Sequence, residues 1–179
     1  MDEIKDDQLI KQTLDGCKNS FNVLVERYQD KLRSYTFRIT RSESEAEDVL
    51  QEAFILAYTH LASFRGEGKF CTWLYAIVRN LAISNVRKRK SHLTLSEGID
   101  FAGGDPPPDE GIRVSELSDM VNQGIAELDE SYRQIVILRE IEGKEYQEIS
   151  ELLDIPLGTV KSRRHKARTL LKEKLENRL

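Results

Sequence analysis

The strongest constraint on this fold is a stretch rich in proline and glycine that interrupts two regions of helical periodicity. The stretch "SEGIDFAGGDPPPDEG" contains three consecutive prolines and paired glycines, which cannot continue a regular helix. Its charged residues are all acidic: Glu97, Asp100, Asp105, Asp109 and Glu110. We therefore predict a flexible, extended, acidic linker over 91–118, with one domain over 1–90 and another over 119–179.

Both regions flanking this linker show the period of an amphipathic helix, with apolar residues three and four positions apart. The first predicted helix covers 19–39, the second starts near Ser42 or Ser44, and a third runs from about Trp73 into the basic stretch "RKRK". Four more helices are predicted between Met120 and Leu175. No segment alternates with the two-residue period of a strand, so we predict an all-α protein of two small helical domains.

Composition narrows the functional classes. The formal net charge is -4, and no apolar run approaches the roughly 20 residues that span a bilayer. The acidic N-terminus lacks the order of a signal peptide, so we predict a cytoplasmic protein. Two distant cysteines and three scattered histidines fit neither a disulfide framework nor a ligand spacing, so we predict no metal and no cofactor.

A short helix, a tight turn and a basic helix follow one another near the C-terminus. "EYQEISELL" is followed by the turn "DI", and Pro156 suits the first position of the next helix. With Val160 at the centre of its buried face, that helix directs a mixed set of polar groups outward. These are Thr159, Lys161, Ser162, His165, Lys166 and Thr169.

Such a face is suited to the DNA major groove, because cations bind phosphates while Ser, His and Lys can contact base edges. The charge pattern alone fits a solvated helix surface equally well. The preceding short helix and turn form a helix-turn-helix pattern, which favours DNA binding.

Two further patterns lie in the N-terminal half. Asp48, Gln51, Glu52 and Ile55 share the face of a helix opposite its apolar stripe. A metal site there would lack a histidine or third acid. An ordinary solvated face and a docking patch for a basic partner are the other two interpretations.

The segment "FRGEGKFCTWLYAIVRNLAISNVRKRK" interleaves aromatic and basic residues. This composition suits unpaired nucleic acid, because bases stack on rings while cations follow phosphates. The loop glycines leave room for an extruded base. Core packing is the alternative for Phe70 and Trp73, and is the favoured one for Trp73.

The chain resembles the extracytoplasmic function (group IV) sigma factors of the bacterial sigma-70 family. The resemblance rests on "AEDVLQEAFILAY", "FCTWLYAIVRNLAISNVRKRK", "EGKEYQEISELLDIPLGTVKSR" and "HKARTLL", in that order. It covers the whole chain except the linker. It implies a sigma-2-type domain to about Lys90 and a sigma-4-type domain from about Asp119.

The resemblance also implies partners: core RNA polymerase through its beta-prime clamp helices and beta flap, promoter DNA, and an anti-sigma factor that could be anchored in the membrane. It implies no small-molecule substrate and no catalysis by the chain. Polymerase docking would use Asp48, Gln51, Glu52 and Ile55. Recognition of the -10 element would use Phe64, Arg65, Lys69, Phe70, Trp73, Asn80 and Arg87. Recognition of the -35 element would use Thr159, Lys161, Ser162, His165 and Lys166.

Two residues depart from the family pattern. Arg164 stands where an apolar residue is common, so its stem is expected to lie along the buried face while its charge reaches solvent. Glu145 replaces the usual serine before "YQEIS", which predicts a weaker capping box with Glu148.

Two other functions are compatible with parts of the sequence. A DNA-binding regulator with an N-terminal sensor would share the helix-turn-helix, but it gives no account of the aromatic-basic segment. A carboxylate-metal nuclease would need more clustered acids or histidines.

Overall fold

The computed structural model describes residues 4–66, 68–93 and 114–176, and the chain divides into two compact units. Unit 1 is Met1–Gly103 and unit 2 is Gly104–Leu179. Throughout the described ranges the regular structure is helical and no strand occurs, which confirms the all-α prediction. The predictions about the linker concern mainly 94–113, which lie outside the described residues.

Unit 1 begins with two helices, α1 (Asp6–Leu14) and α2 (Lys18–Thr40). The sequence periodicity did not indicate α1, whose nine residues are mostly polar. Gly16 adopts a φ of 100°, a conformation that glycine tolerates best, and thereby turns the chain from α1 into α2. α1 stays close to α2 because Arg27 and Tyr28 both donate hydrogen bonds to the Asp6 carboxylate.

The third helix of unit 1 is α3 (Glu43–Thr59), followed by a 3-10 turn at Leu61–Ser63. Ser42 Oγ accepts a hydrogen bond from the Glu45 backbone N–H at 3.4 Å, so Ser42 is the helix cap. The predicted apolar stripe is buried at Ala46, Val49, Leu50, Ala53 and Ala57. Burial of this stripe turns the opposite, polar face of α3 to solvent.

The last helix of unit 1, α4 (Phe70–Leu93), packs against both α2 and α3. Its buried face, among the described side chains, consists of Phe70, Leu74, Tyr75, Val78, Ala82 and Ile83. Tyr75, which the sequence placed among the aromatics of a nucleic-acid surface, is only 1% exposed. Its ring centroid lies 5.0 Å from that of Tyr35, so Tyr75 belongs to the core.

Unit 2 begins with α5 (Val114–Ala126), which starts before the predicted boundary at residue 119. α6 (Glu130–Val136) continues directly into a π-helical segment, Ile137–Ile141. The Glu142 backbone N–H donates to the Ile137 carbonyl at 2.9 Å, which is the wider hydrogen-bond spacing of a π-helix. Residues 135–138 are all buried and form the centre of the unit.

The predicted helix-turn-helix is present as α7 (Tyr146–Leu153) and α8 (Leu157–Glu176). Asp154 adopts a left-handed conformation with a φ of 51° in the turn, and Ser150 Oγ donates to the Ile155 carbonyl at 2.6 Å. The capping box forms despite Glu145, whose backbone N–H donates to the Glu148 carboxylate at 2.8 Å. α8 begins at Leu157, so Pro156 lies immediately before the helix, whereas we predicted Pro156 as its first residue.

No helix in the described part of the chain is both long and apolar enough to cross a membrane.

Candidate functional site

The polar face of α3 presents the four residues predicted for docking. Asp48, Gln51 and Glu52 are exposed, and Ile55 is 67% exposed although it is apolar. Spacings of three and four residues place them on one side of the helix, opposite the buried stripe. The result is a rigid patch that combines two carboxylates, an amide and an isoleucine, a composition suited to a partner with both basic and apolar groups.

The loop between α3 and α4, which we call the aromatic loop, rests on a cluster of aromatic rings. The Phe64 ring lies 5.7 Å from that of Phe70 and 5.5 Å from that of Trp73, measured between centroids. The Tyr28 ring packs edge-on against Phe70 at 5.9 Å. Phe70 is only 3% exposed, whereas Phe64 and Trp73 are half-buried. Phe70 therefore supports the loop from beneath, and the two half-buried rings are the ones that a base could reach.

Cationic and polar side chains surround this aromatic cluster. Arg65 and Lys69 are exposed in the loop itself, where Gly66 has a φ of 72°. Trp73, Asn80 and Arg87 follow one another at seven-residue intervals along α4, so they lie within about 40° of one line on the helix. This line is about 21 Å long at 1.5 Å per residue. Asn80 and Arg87 are exposed along it.

A pocket of about 660 Å³ opens beside the loop. Its lining comes from the start of α1, from Arg27 and Tyr28 of α2, and from Gly66, Gly68, Lys69, Phe70 and Cys71. Burial, and then the hydrogen bond to Asp6, raise the pKa of Tyr28 above its usual value, so Tyr28 stays protonated as a donor. Sequence patterns did not indicate this contribution from α1, because nothing local shows that Asp6 meets α2.

The basic helix α8 carries the residues predicted for duplex DNA. Lys161, Ser162, His165 and Lys166 are exposed, and Thr159 is half-buried. Val160 and Ala167 are fully buried on the other side, as the helical sorting predicted. The exposed face therefore combines two lysines with hydroxyl and imidazole groups, and these can contact both phosphates and base edges.

Arg164 is neither part of the exposed face nor a simple core residue. Its Nε donates to Glu140 Oε1 at 2.7 Å, and its guanidinium carbon lies 5.8 Å from the centre of the Tyr146 ring. The hydrogen bond to Glu140 raises the pKa of Arg164 above its already high value. We expected the charge of Arg164 to reach solvent. Instead, this charge is held in an ion pair with Glu140 of the same unit.

Within the described residues, no three Asp, Glu, His or Cys side chains are grouped as a metal site requires. Asp48 and Glu52 remain a pair on an exposed helix face.

Two family models match the chain, one for each unit. The model for sigma-70 region 2 matches residues 24–92, and the model for sigma-70 region 4 matches residues 118–171. The first range contains the α3 patch, the loop between α3 and α4, and all but the last residue of α4. The second range contains α7 and α8 up to Leu171.

Relatives of similar length match nearly the whole chain. The ECF RNA polymerase sigma factor SigW of Bacillus subtilis is 38% identical, over 94% of this chain and 95% of the relative. The ECF RNA polymerase sigma-E factor of Escherichia coli strain K12 is 36% identical, over 98% of this chain and 96% of the relative. The RNA polymerase sigma-H factor of Pseudomonas aeruginosa is 35% identical, over 96% and 94% respectively.

Solved structures share the fold. The sigma factor RpoE of Bartonella quintana, solved in complex with the anti-sigma factor NepR, matches with a TM-score of 0.73 at 24% identity, covering 87% of this chain and 96% of RpoE. CnrH, solved in complex with the cytosolic domain of CnrY, also matches with a TM-score of 0.73 at 24% identity, covering 94% of this chain and 96% of the matched chain.

Proposed function

The chain belongs to the extracytoplasmic function sigma factors of the sigma-70 family, and we propose that its two units divide polymerase docking and promoter recognition between them. The protein is a transcription initiation factor that directs core RNA polymerase to specific promoters. Unit 1 would hold the polymerase and the melted -10 element, while unit 2 would bind the -35 element as duplex.

The docking surface is the α3 patch of Asp48, Gln51, Glu52 and Ile55. Its two carboxylates would pair with basic side chains of the beta-prime clamp helices, and the exposed Ile55 would become buried in the complex. Single exposed apolar residues are common, but Ile55, at 67%, is the most exposed large apolar side chain among the described residues. This exposed apolar residue beside two acids is the observation that carries the proposal of a polymerase partner.

The -10 surface is the aromatic loop together with the line of Trp73, Asn80 and Arg87 on α4. An extruded base would stack on the half-buried ring of Phe64 or Trp73, while Arg65 and Lys69 would hold the backbone. Asn80 can donate and accept hydrogen bonds with the next unpaired base. Phe70 supports this surface from below rather than contacting DNA.

The -35 surface is the exposed face of α8. Lys161, Ser162, His165 and Lys166 would enter the major groove, with Thr159 near the start of the helix contacting the phosphate backbone. A second contact of unit 2, with the beta flap of the polymerase, follows from the family.

The chain would supply no catalytic residue, no cofactor and no metal, because the polymerase performs the chemistry of RNA synthesis. Its work is binding and strand separation. No small-molecule substrate is part of this proposal.

Regulation by an anti-sigma factor is also part of the proposal. Two solved sigma-fold proteins, RpoE of Bartonella quintana and CnrH, were each captured with a partner, which in the first case is an anti-sigma factor. An anti-sigma factor that covers the docking patch would keep this chain inactive. We place the protein in the cytoplasm, held at the inner face of the membrane if that partner is membrane-anchored.

Reconstitution with core RNA polymerase tests the function. The full chain, mixed with core enzyme, should co-elute with it and direct transcription from a cognate promoter that core enzyme alone does not use. A stand-alone DNA-binding regulator would instead bind that promoter tightly as duplex without polymerase. Tight specific duplex binding by the chain alone, with no association with core enzyme, would contradict the proposal.

A further inference from the structure

Helix α8 packs against α5, α6 and α7, but few of its side chains are fully buried. Of its twenty residues, all of them described, only Val160 and Ala167 are buried. These two residues are seven positions apart and therefore lie within about 20° of each other around the helix. Both side chains are small. Leu170, Leu171 and Leu175 are half-buried, and Leu171 packs beside Gly124 of α5, so the second half of the helix is held there. The first half, which carries Lys161 and His165, has only Val160 fully buried and is therefore less restrained against rolling about the helix axis.

A second attachment lies to one side of Val160 and Ala167. Arg164 is four residues after Val160, which places it about 40° further around the helix. Its Nε donates to Glu140 Oε1 at 2.7 Å, and Glu140 belongs to the π-helical segment that precedes the helix-turn-helix. The ion pair therefore attaches the basic helix to the π-helical segment, in addition to the burial of Val160 and Ala167.

The Tyr146 ring, at the start of α7, joins these elements. The guanidinium of Arg164 lies 5.8 Å from the centre of the ring, and that of Arg139 lies 4.8 Å from it. Arg139 is itself held, because it donates to the Lys144 carbonyl at 2.8 Å and pairs with Glu145 at 3.2 Å. We call Arg139, Glu140, Glu145, Tyr146 and Arg164 the Tyr146 brace.

The Tyr146 brace lies close to the residues predicted for base recognition. Lys161 is three residues before Arg164 and His165 is the residue after it. A helix with its side chains is about 10–12 Å across, so a roll of 20° moves side-chain tips by about 2 Å. Hydrogen bonds to base edges tolerate only a few tenths of an ångström. Even a small roll would therefore displace Lys161 and His165 from their partners.

We propose that Arg164 is a positioning residue for promoter recognition: by pairing with Glu140 against the Tyr146 ring, it sets the rotation of α8 and thereby the register of its base-contacting side chains. This inference rests on the proposed function, in which α8 binds the -35 element. It assigns Arg164 a role through Glu140 and Tyr146 and not through a contact with DNA.

The test uses a promoter selected from randomised DNA by the wild-type holoenzyme. It compares transcription by the reconstituted holoenzyme from that promoter with transcription from the same promoter after its -35 element is scrambled. The ratio between them cancels the folded fraction, because both promoters meet the same protein preparation. Arg164→Met keeps the aliphatic stem but removes the charge, and Glu140→Ala removes its partner. Each should lower discrimination about three- to tenfold, less than the loss of a direct base contact.

The far end of the same helix offers a matched control. Lys174 Nζ lies 3.1 Å from Glu127 Oε2, in an ion pair that also joins α8 to the body of unit 2 and is similarly exposed. Lys174→Met and Glu127→Ala should leave discrimination unchanged. An equal loss in these controls would mean that any ion pair anchoring α8 affects discrimination, which would overturn the specific positioning role of Arg164.

The salt dependence of binding separates positioning from a phosphate contact. If Arg164 contacted a DNA phosphate, its replacement by Met would make the plot of log K for promoter binding against log salt concentration less steep, by about 0.9. We expect an unchanged slope, and recovery of discrimination in the reversed pair Arg164→Glu with Glu140→Arg. A reduced slope, or unchanged discrimination in both single variants, would overturn the inference. Failure of Lys161→Ala with Lys166→Ala to affect discrimination would instead overturn the proposed function.

Discussion

The two units each place an aromatic residue beneath a recognition surface, but the neighbours of that residue differ. In unit 1 the rings of Tyr28, Phe64, Phe70 and Trp73 pack on one another, and Phe70 is almost completely buried. In unit 2 the Tyr146 ring has two guanidinium groups over it and carboxylates beside them. The first surface is thus supported by apolar rings, whereas the second is supported by charged groups around a ring in addition to the apolar core of unit 2.

The helices of the two units also differ in how many of their residues they bury. α2, α3 and α4 have 23, 17 and 24 residues, so each can bury a long apolar face against the other two. α6 and α7 have seven and eight residues, and α8 buries only two of its own. Where little apolar area is available, pairing between charged side chains can fix an orientation that packing alone leaves loose.

The largest effect is expected from the docking patch, whose helix is held by the core of unit 1. Asp48→Lys with Glu52→Lys should abolish binding to core polymerase, because two attractive charges become repulsive at the interface. Co-elution with core enzyme and promoter-directed transcription measure this. Glu26→Lys with Asp30→Lys makes the same charge change on exposed positions of α2 and should retain most binding. Wild-type binding by the Asp48 and Glu52 variant would refute the docking assignment.

We predict that the folding stability of unit 1 depends strongly on the ring of Phe70. Phe70→Ala should lower the free energy of unfolding of unit 1 by about 3–5 kcal/mol, as expected when a buried phenylalanine leaves a cavity. Trp73 is the single tryptophan of the chain, so fluorescence during urea unfolding follows unit 1. Leu152→Ala, in the core of unit 2, should leave the fluorescence transition in place. A Phe70→Ala transition at the wild-type urea concentration would contradict the supporting role of this ring.

The double variant Lys161→Ala with Lys166→Ala tests the recognition surface of unit 2. The variant should bind core polymerase normally but lose use of the -35 element, with each lost base contact costing about 1–3 kcal/mol of discrimination. Arg168→Ala removes an exposed cation outside the predicted base-contacting set and serves as control. Transcription from promoters with intact and altered -35 elements is the measurement. If the variant and the wild type discriminated equally between the intact and altered -35 elements, α8 would not be the recognition helix.

Melting of the promoter should depend on the aromatic loop. Phe64→Ala with Lys69→Ala should slow formation of the open complex about tenfold, because base stacking on an aromatic ring is worth about 1–3 kcal/mol. Binding to core polymerase should persist, since the α3 patch is unchanged. Permanganate reactivity of unpaired thymines reports the melted region over time. Reactivity that develops at the wild-type rate would exclude this loop as the site of base capture.

The smallest effect concerns the attachment of α1 in unit 1. Burial and the hydrogen bond to Asp6 raise the pKa of Tyr28 above its ordinary value of 10.0, so the folded state favours the neutral phenol. The stabilisation is complete below about pH 10 and declines as the pH rises above that value. Tyr28→Phe should therefore be less stable at neutral pH yet lose less stability between pH 10 and 11. Thermal unfolding across this range, with the exposed Tyr58→Phe as control, measures the difference; parallel pH profiles for wild type and Tyr28→Phe would count against it.

Local patterns in the sequence determined much of this protein. Apolar spacing predicted an all-helical chain and the exposed faces of α3 and α8, because a regular helix fixes which side chains share a side. The turn before α8 was also evident, since proline and the preceding short amphipathic helix act locally.

Only the tertiary structure decided which residues meet across elements. Periodicity within α4 could not place Tyr75 in the core, because its burial depends on contact with two other helices at once. It could not connect Asp6 to Tyr28, which are 22 residues apart, or Glu140 to Arg164, which are 24 apart. Arg164 looked like an apolar position filled by a cation until its partners on the π-helical segment and on α7 were known. Helical spacing specifies a direction for each side chain, whereas the partner found in that direction depends on how the helices pack.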